Sequence, residues 1–178
     1  MKVLRKERFY AVEPAVVWEA LTSPAALAEW LMPNNFRAVK GAEFEFLTDP
    51  TPVCGSGRTK CQVIDLEEQK RMTWSWTRDA GKGEPTPPMF VTWTLHREKE
   101  GTRLILEQTG LEAQGWLIRI AMSLGWYLML KKSFRAVLNN VELRDGRARF
   151  RVGAIPLKKR YYTAKTVPTS FLEHPTHG

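Results

Sequence analysis

Histidine is scarce in this 178-residue chain, which holds only His96, His174 and His177. Two of these lie near the C-terminal end, and His96 falls on the hydroxyl-bearing phase of an alternating segment, where a solvated side chain is expected. A histidine-activated nucleophile or a histidine metal set therefore has no material to build on. Cysteine is as rare: Cys54 and Cys61 stand seven apart, a spacing that suits neither a redox pair nor a zinc site, and both read as free thiols. Glycine gives no phosphate cradle, because Gly81-Lys82-Gly83 is too short and Gly55-Ser56-Gly57 is not followed by a helical pattern. Glu43, Glu45, Asp65 and Glu107 alternate with apolar neighbours and read as solvent-face charges, so no carboxylate pair is in view. No cofactor or metal is expected. Long hydrophobic runs are missing too: Trp116 to Leu130 is closed after fifteen positions by Lys131-Lys132, short of the roughly 20 residues a membrane span needs. Met1-Lys2-Val3-Leu4 gives way at once to Arg5-Lys6-Glu7-Arg8, unlike a secretion signal, and the protein is expected in the cytoplasm.

What the chain does have is 43% hydrophobic residues, including seven tryptophans, enough for one domain with a sizeable core and no disulfide or metal staple. After an opening strand, Pro14 suits a first helical turn, and Val17, Trp18 and Leu21 then share one side at helical spacing. Ser23-Pro24 breaks that helix. Leu27, Trp30 and Leu31 mark a second short one before the turn formers Pro33-Asn34-Asn35.

Alternating runs follow, joined by connections short enough to favour antiparallel pairing. They are Glu43 to Phe46, Arg58 to Asp65, Met72 to Thr77, Val91 to Leu95 and the stretch around Leu104 and Leu106, the last two joined by a turn at Glu100-Gly101. Each has one apolar phase and one of hydroxyls or charges, the pattern of a sheet packed on one side. A long apolar helix from Gln114 to Leu143, with Gly125 as a candidate kink, must cover the packed side.

Several of these segments together resemble the START-like helix-grip superfamily (SRPBCC), in the branch similar to activators of the heat-shock-protein ATPase. The carriers are Pro14-Ala15-x-Val17-Trp18-x-Ala20-Leu21-Thr22, Trp30, Gly41-x-x-Phe44-x-Phe46 and Arg71-Met72-Thr73-Trp74-Ser75-Trp76. Val91 to Leu95, Gly101 to Leu104, Thr109-Gly110-Leu111 and Ser133-Phe134-x-x-Val137-Leu138-x-Asn140-Val141 complete the set, so that the likeness runs from about Phe9 to Glu142. The resemblance implies an α+β fold: a curved antiparallel sheet wrapped around a long C-terminal helix, two short helices after the first strand, and an apolar cavity between sheet and helix.

In such a fold the packed face is shared between core and cavity. Trp30, Phe44, Phe46, Trp74, Trp76, Trp93, Met122, Trp126 and Phe134 are the expected apolar lining, although packing alone is the simpler reading for each aromatic ring. Arg78 and Gln108, on the same strand phase as Trp76 and Leu106, are the polar groups that could orient a ligand, and Tyr127 is a candidate proton donor. A small hydrophobic or aromatic ligand is the expected partner, with binding rather than catalysis favoured. Two alternatives follow from the resemblance: a polyketide cyclase- or aromatase-like enzyme, and a chaperone-associated interaction module.

Apolar side chains all round the helix before Gly125 suggest a homodimer contact or a closure of the cavity mouth. The loop Gly81 to Pro88 reads as a flap or a long hairpin turn. The chain divides into a helix-grip domain, 1–143, and a basic extension, 144–178. That extension holds eight cations against Asp145 and Glu173, a net of +6 out of the formal +8. Its interleaved Phe150, Val152, Ile155 and Leu157 suit a segment that folds back; a solvated tail, or an arm for nucleic acid or anionic membrane, is the alternative.

Overall fold

A computed structural model of the chain describes residues 3–50, 56–78 and 87–159. The expectations for Cys54, for most of the Gly81–Pro88 loop and for the tail beyond Lys159 fall outside these residues. Strand β1 (Leu4–Tyr10) leads into α1 (Pro14–Thr22) and α2 (Pro24–Trp30). Pro14 sits in the first turn of α1, and Pro24 in that of α2. Ser23 ends the first helix and caps the second, its hydroxyl accepting from the Ala26 N–H at 3.4 Å. One dipeptide thus makes the sharp angle of the hook.

Five strands follow: β2 (Glu43–Leu47), β3 (Arg58–Glu67), β4 (Arg71–Arg78), β5 (Met89–Glu98) and β6 (Gly101–Thr109). With β1 they form one six-stranded sheet in the order β1-β6-β5-β4-β3-β2, antiparallel throughout. A register shift between Val63 and Asp65 turns Ile64 outward and bends β3. The outer face carries ion pairs, among them Glu45 with Arg58 at 2.6 Å and Arg103 with Glu7 and Glu98. Asp65 and Glu107 also meet cations there, Lys40 and Arg5, each at 3.7 Å. His96 is exposed on the same face.

The long helix departs from expectation at both ends and in its middle. A turn of 3-10 helix (Leu111–Ala113) precedes α3 (Trp116–Leu128), a π-helical segment (Met129–Ser133) and α4 (Phe134–Leu138). Gly125 lies inside α3, which runs through it unbroken, and the irregularity comes one turn later. The buried side chains explain it. Trp126, Leu130, Phe134 and Leu138 are four apart, and in a regular helix such a row drifts about 40° per step away from the sheet. The wider π turn takes up that drift and keeps all four over the core.

The helix ends at Leu138, not Leu143. Val141–Arg144 (β7) and Arg147–Phe150 (β8) form a hairpin whose turn residues, Asp145 at φ 50° and Gly146 at φ 74°, have the left-handed conformations of a tight two-residue turn. The start of the basic extension is therefore folded back. Phe150 and Ile155 are buried, the Phe150 N–H donates to the Glu19 carboxylate at 2.9 Å, and the Arg151 N–H donates to the Asn140 carbonyl at 2.9 Å. Among the described residues no helix is long and apolar enough to cross a membrane.

Candidate functional site

The concave face of the sheet meets α2, α3 and α4 in a continuous network of aromatic rings. Trp74 on β4 and Trp93 on β5 lie at its centre, ring centroids 5.9 Å apart. Trp30 closes on Trp93 at 5.8 Å and on Phe134 at 4.8 Å, and Trp126 reaches Trp93 at 5.6 Å and Trp76 at 6.0 Å. Phe44 and Phe46 extend the network across β2, and Phe36 joins from the segment after the hook. Most of these contacts are edge-to-face, the geometry that sets the positive rim of one ring against the negative face of another. All the rings are buried. Two anchors hold the hook and helix against them: the Trp30 indole donates to the Ala20 carbonyl, and the Tyr10 hydroxyl to the Leu130 carbonyl of the π segment, both at 2.8 Å.

Polar groups collect at one end of the network. Trp126 Nε1 donates to Gln108 Oε1 at 2.8 Å, while Gln108 Nε2 faces Met89 Sδ at 3.5 Å. Beside them the Arg78 guanidinium donates through Nη1 to Gln114 Oε1 at 3.2 Å. All three residues, Arg78, Gln108 and Gln114, are buried. Along this core the donors Trp74 Nε1, Trp93 Nε1 and Gln114 Nε2 are buried with no acceptor among the described residues. Buried polar groups are nearly always paired, so three orphans along one core mark it as unusual.

Of the residues singled out from sequence, the structure brings together Trp30, Phe44, Phe46, Trp74, Trp76, Trp93, Trp126 and Phe134 in the ring network, with Arg78 and Gln108 at its polar end. Met122 is half-buried and packs against the same core. Tyr127 lies apart, partly exposed beneath Arg8 at 4.9 Å and Lys131 at 5.5 Å, so Arg78 and Tyr127 do not share a site. Sequence reasoning missed Gln114, which it placed at the start of a helix, and Phe36, which follows a run of turn formers. For Gln114 the signal was available: a lone amide between Ala113 and Gly115, after a turn and before an apolar helix, sits where a strand end meets a helix start. Among the described residues no group of His, Cys, Asp and Glu could hold a metal. Cys61 is a buried thiol whose pKa is pushed well up by burial and, to a lesser degree, by the Glu45 carboxylate, which disfavours the thiolate.

A second concavity lies outside this network, where β1 faces the first turns of α3. It measures about 900 Å³, and of the residues above only Tyr127 lines it.

The sequence profile of the family described as "Activator of Hsp90 ATPase homolog 1-like protein" matches residues 11–139. The chain belongs to that family. None of the curated proteins matches it. Among solved structures, protein MLL2253 from Mesorhizobium loti is similar at 27% identity, covering 80% of this chain and 100% of its own, with a TM-score of 0.67. Protein CV1439 from Chromobacterium violaceum follows at 25% identity, 76% and 96% coverage and a TM-score of 0.59. The Aha1 dimer from Colwellia psychrerythraea shares the fold at 15% identity, covering 74% of this chain and 92% of its own, with a TM-score of 0.60. The α+β helix-grip architecture is thus that of the family, and its match stops at residue 139, where the β7–β8 hairpin is about to begin.

Proposed function

We propose that this family member binds a small hydrophobic or aromatic ligand carrying an oxygen acceptor, held between the sheet and α3. The observation that carries the reading is the pair of indole N–H groups on adjacent strands, Trp74 Nε1 and Trp93 Nε1, both buried with no acceptor among the described residues. Leaving a buried donor unpaired costs about 1–3 kcal/mol, and a carbonyl or phenol oxygen lodged beside both would recover that twice. Rings provide the rest of the affinity through buried area, and the Arg78–Gln114 pair stands at the polar end where a ligand's exposed edge would rest. Access requires α3 to move. Its first turns are suited to this, since Trp126 is the one residue between Trp116 and Leu128 that is buried.

The test is a titration of the protein with 1-naphthol, flavone and naphthalene, followed through the seven indole N–H resonances. Binding of naphthol and flavone should shift the Trp74 and Trp93 signals, whereas naphthalene, with no acceptor, should bind more weakly by about tenfold or more per recovered hydrogen bond. If binding leaves both signals in place, or if none of the three binds, the reading fails.

A further inference from the structure

Helix α3 has two apolar faces. One, through Met122 and Trp126, meets the core. The other carries Trp116, Ile120 and Leu124 at four-residue spacing, and these are 67%, 57% and 55% exposed. That second face forms one wall of the 900 Å³ concavity, opposite Leu4 on β1. Most of the lining is carbon, and its charged members are two cations, Lys6 and Arg119, with no carboxylate among them. Neither cation has an ion-pair partner among the described residues: the nearby acids on β1 and β6, Glu7 and Glu107, are paired with Arg5 and Arg103.

We propose that this cleft binds a single-chain amphiphile with an anionic head, specifically a long-chain carboxylate. Its hydrocarbon would lie along Leu4, Ile120 and Leu124, and its carboxylate would reach Lys6 and Arg119. Size agrees, because about 300–1,000 Å³ is the range for pockets that hold one small molecule. Charge selects the head group: a carboxylate accepts from a guanidinium in two parallel hydrogen bonds, and a neutral or cationic head leaves both cations uncompensated. It also argues against a second copy of the chain as occupant. A two-fold contact sets this same lining against itself, and the lining holds no carboxylate to offer either cation. The cleft is separate from the ring network, so the inference does not rest on the reading above.

The experiment measures binding of dodecanoate, tetradecanoate, 1-dodecanol and dodecylamine below their aggregation concentrations, through the fluorescence of Trp116. Dodecanoate should bind at least tenfold more tightly than dodecylamine, and tetradecanoate about fifteenfold more tightly than dodecanoate, at about fourfold for each buried methylene. Lys6→Gln with Arg119→Gln should weaken dodecanoate about tenfold and leave dodecanol unmoved. Trp74→Phe should change neither. Ile120→Asp should abolish binding of all four with the circular dichroism spectrum unchanged. Equal affinity for amine and carboxylate, no binding of either acid, or a sedimenting dimer that Ile120→Asp dissociates would each overturn the proposal.

Discussion

Trp126→Phe tests how the helix is fixed over the sheet. The substitution keeps an aromatic ring but removes the indole N–H that donates to Gln108 Oε1 at 2.8 Å, and Gln108 is wholly buried. An acceptor left there without its donor costs about 1–3 kcal/mol. The smaller ring also loosens the edge contacts to Trp93 and Trp76, now at 5.6 and 6.0 Å, for about 1 kcal/mol more. The total is about 2–4 kcal/mol, which in urea unfolding is a fall in midpoint of about 1–2 M at unchanged slope. A second substitution separates the two parts. Gln108→Met keeps the length of the side chain and removes its polar atoms, so in the Trp126→Phe background it should restore about 1–2 kcal/mol, because an apolar pair has nothing to leave unpaired. If the double variant melts no later than Trp126→Phe alone, the hydrogen bond does not stabilise the fold and the account of the polar end of the network is wrong.

Three further outcomes follow from the same contacts. Burial pushes the Tyr10 hydroxyl well above its ordinary pKa of 10.0, against the opposing pull of Arg8 and Arg135. The unfolded chain therefore ionises first, stability is fully present below pH 10 and is lost as pH rises further, and Tyr10→Phe should abolish that alkaline loss while lowering stability by about 1 kcal/mol at pH 7; equal alkaline slopes in calorimetry would contradict it. Glu19→Ala removes the acceptor for the Phe150 N–H and should free the β7–β8 hairpin, seen as amide exchange at Phe150 faster by about tenfold or more, while unchanged exchange would mean that the hairpin holds itself. Gly110→Ala should destabilise by about 1–2 kcal/mol or more in thermal unfolding, since φ is +80° and the new methyl would meet the Pro88 carbonyl at 2.9 Å; a neutral result would show that the β6–α3 connection is pliable.

Where local rules and tertiary packing agreed, the sequence was informative. Ser23-Pro24 ends one helix and caps the next, and Met72, Trp74 and Trp76 occupy the inward phase of β4 as their alternation implies. The apolar phase of β2, β5 and β6 is likewise the buried one, and in β3 Cys61 and Val63 are buried while the register shift turns Ile64 outward. Misreading began where periodicity was followed past a stop signal. Val141 and Leu143 continue the apolar pattern of the helix, but Asn139-Asn140 ends it and Asp145-Gly146 is a hairpin turn between alternating residues, a local signal that was present and outweighed. The π segment was not legible, because a four-residue row of apolar side chains differs from an ordinary helical stripe only by a drift that a sheet must be present to forbid. The aromatic network was legible as a list of side chains but not as an arrangement. Burial of Gln114 with Arg78, and the two indole donors without acceptors, depend on which rings fill the space, a property of packing and not of spacing.

The π turn at Met129–Ser133 also bears on how the chain can change length. Everything after it is locked in phase to the sheet through Phe134, Val137 and Leu138, and everything before it hangs from Trp126. Loss of a single residue between 129 and 133 would restore a regular helix without disturbing the hydrogen-bonded sheet, but would rotate α3 by about 100°. Trp126 would then leave Gln108, and a different face of α3 would turn towards β1. One-residue insertions and deletions at this turn are thus a route by which relatives can exchange the helix face above the sheet while keeping the rest of the fold.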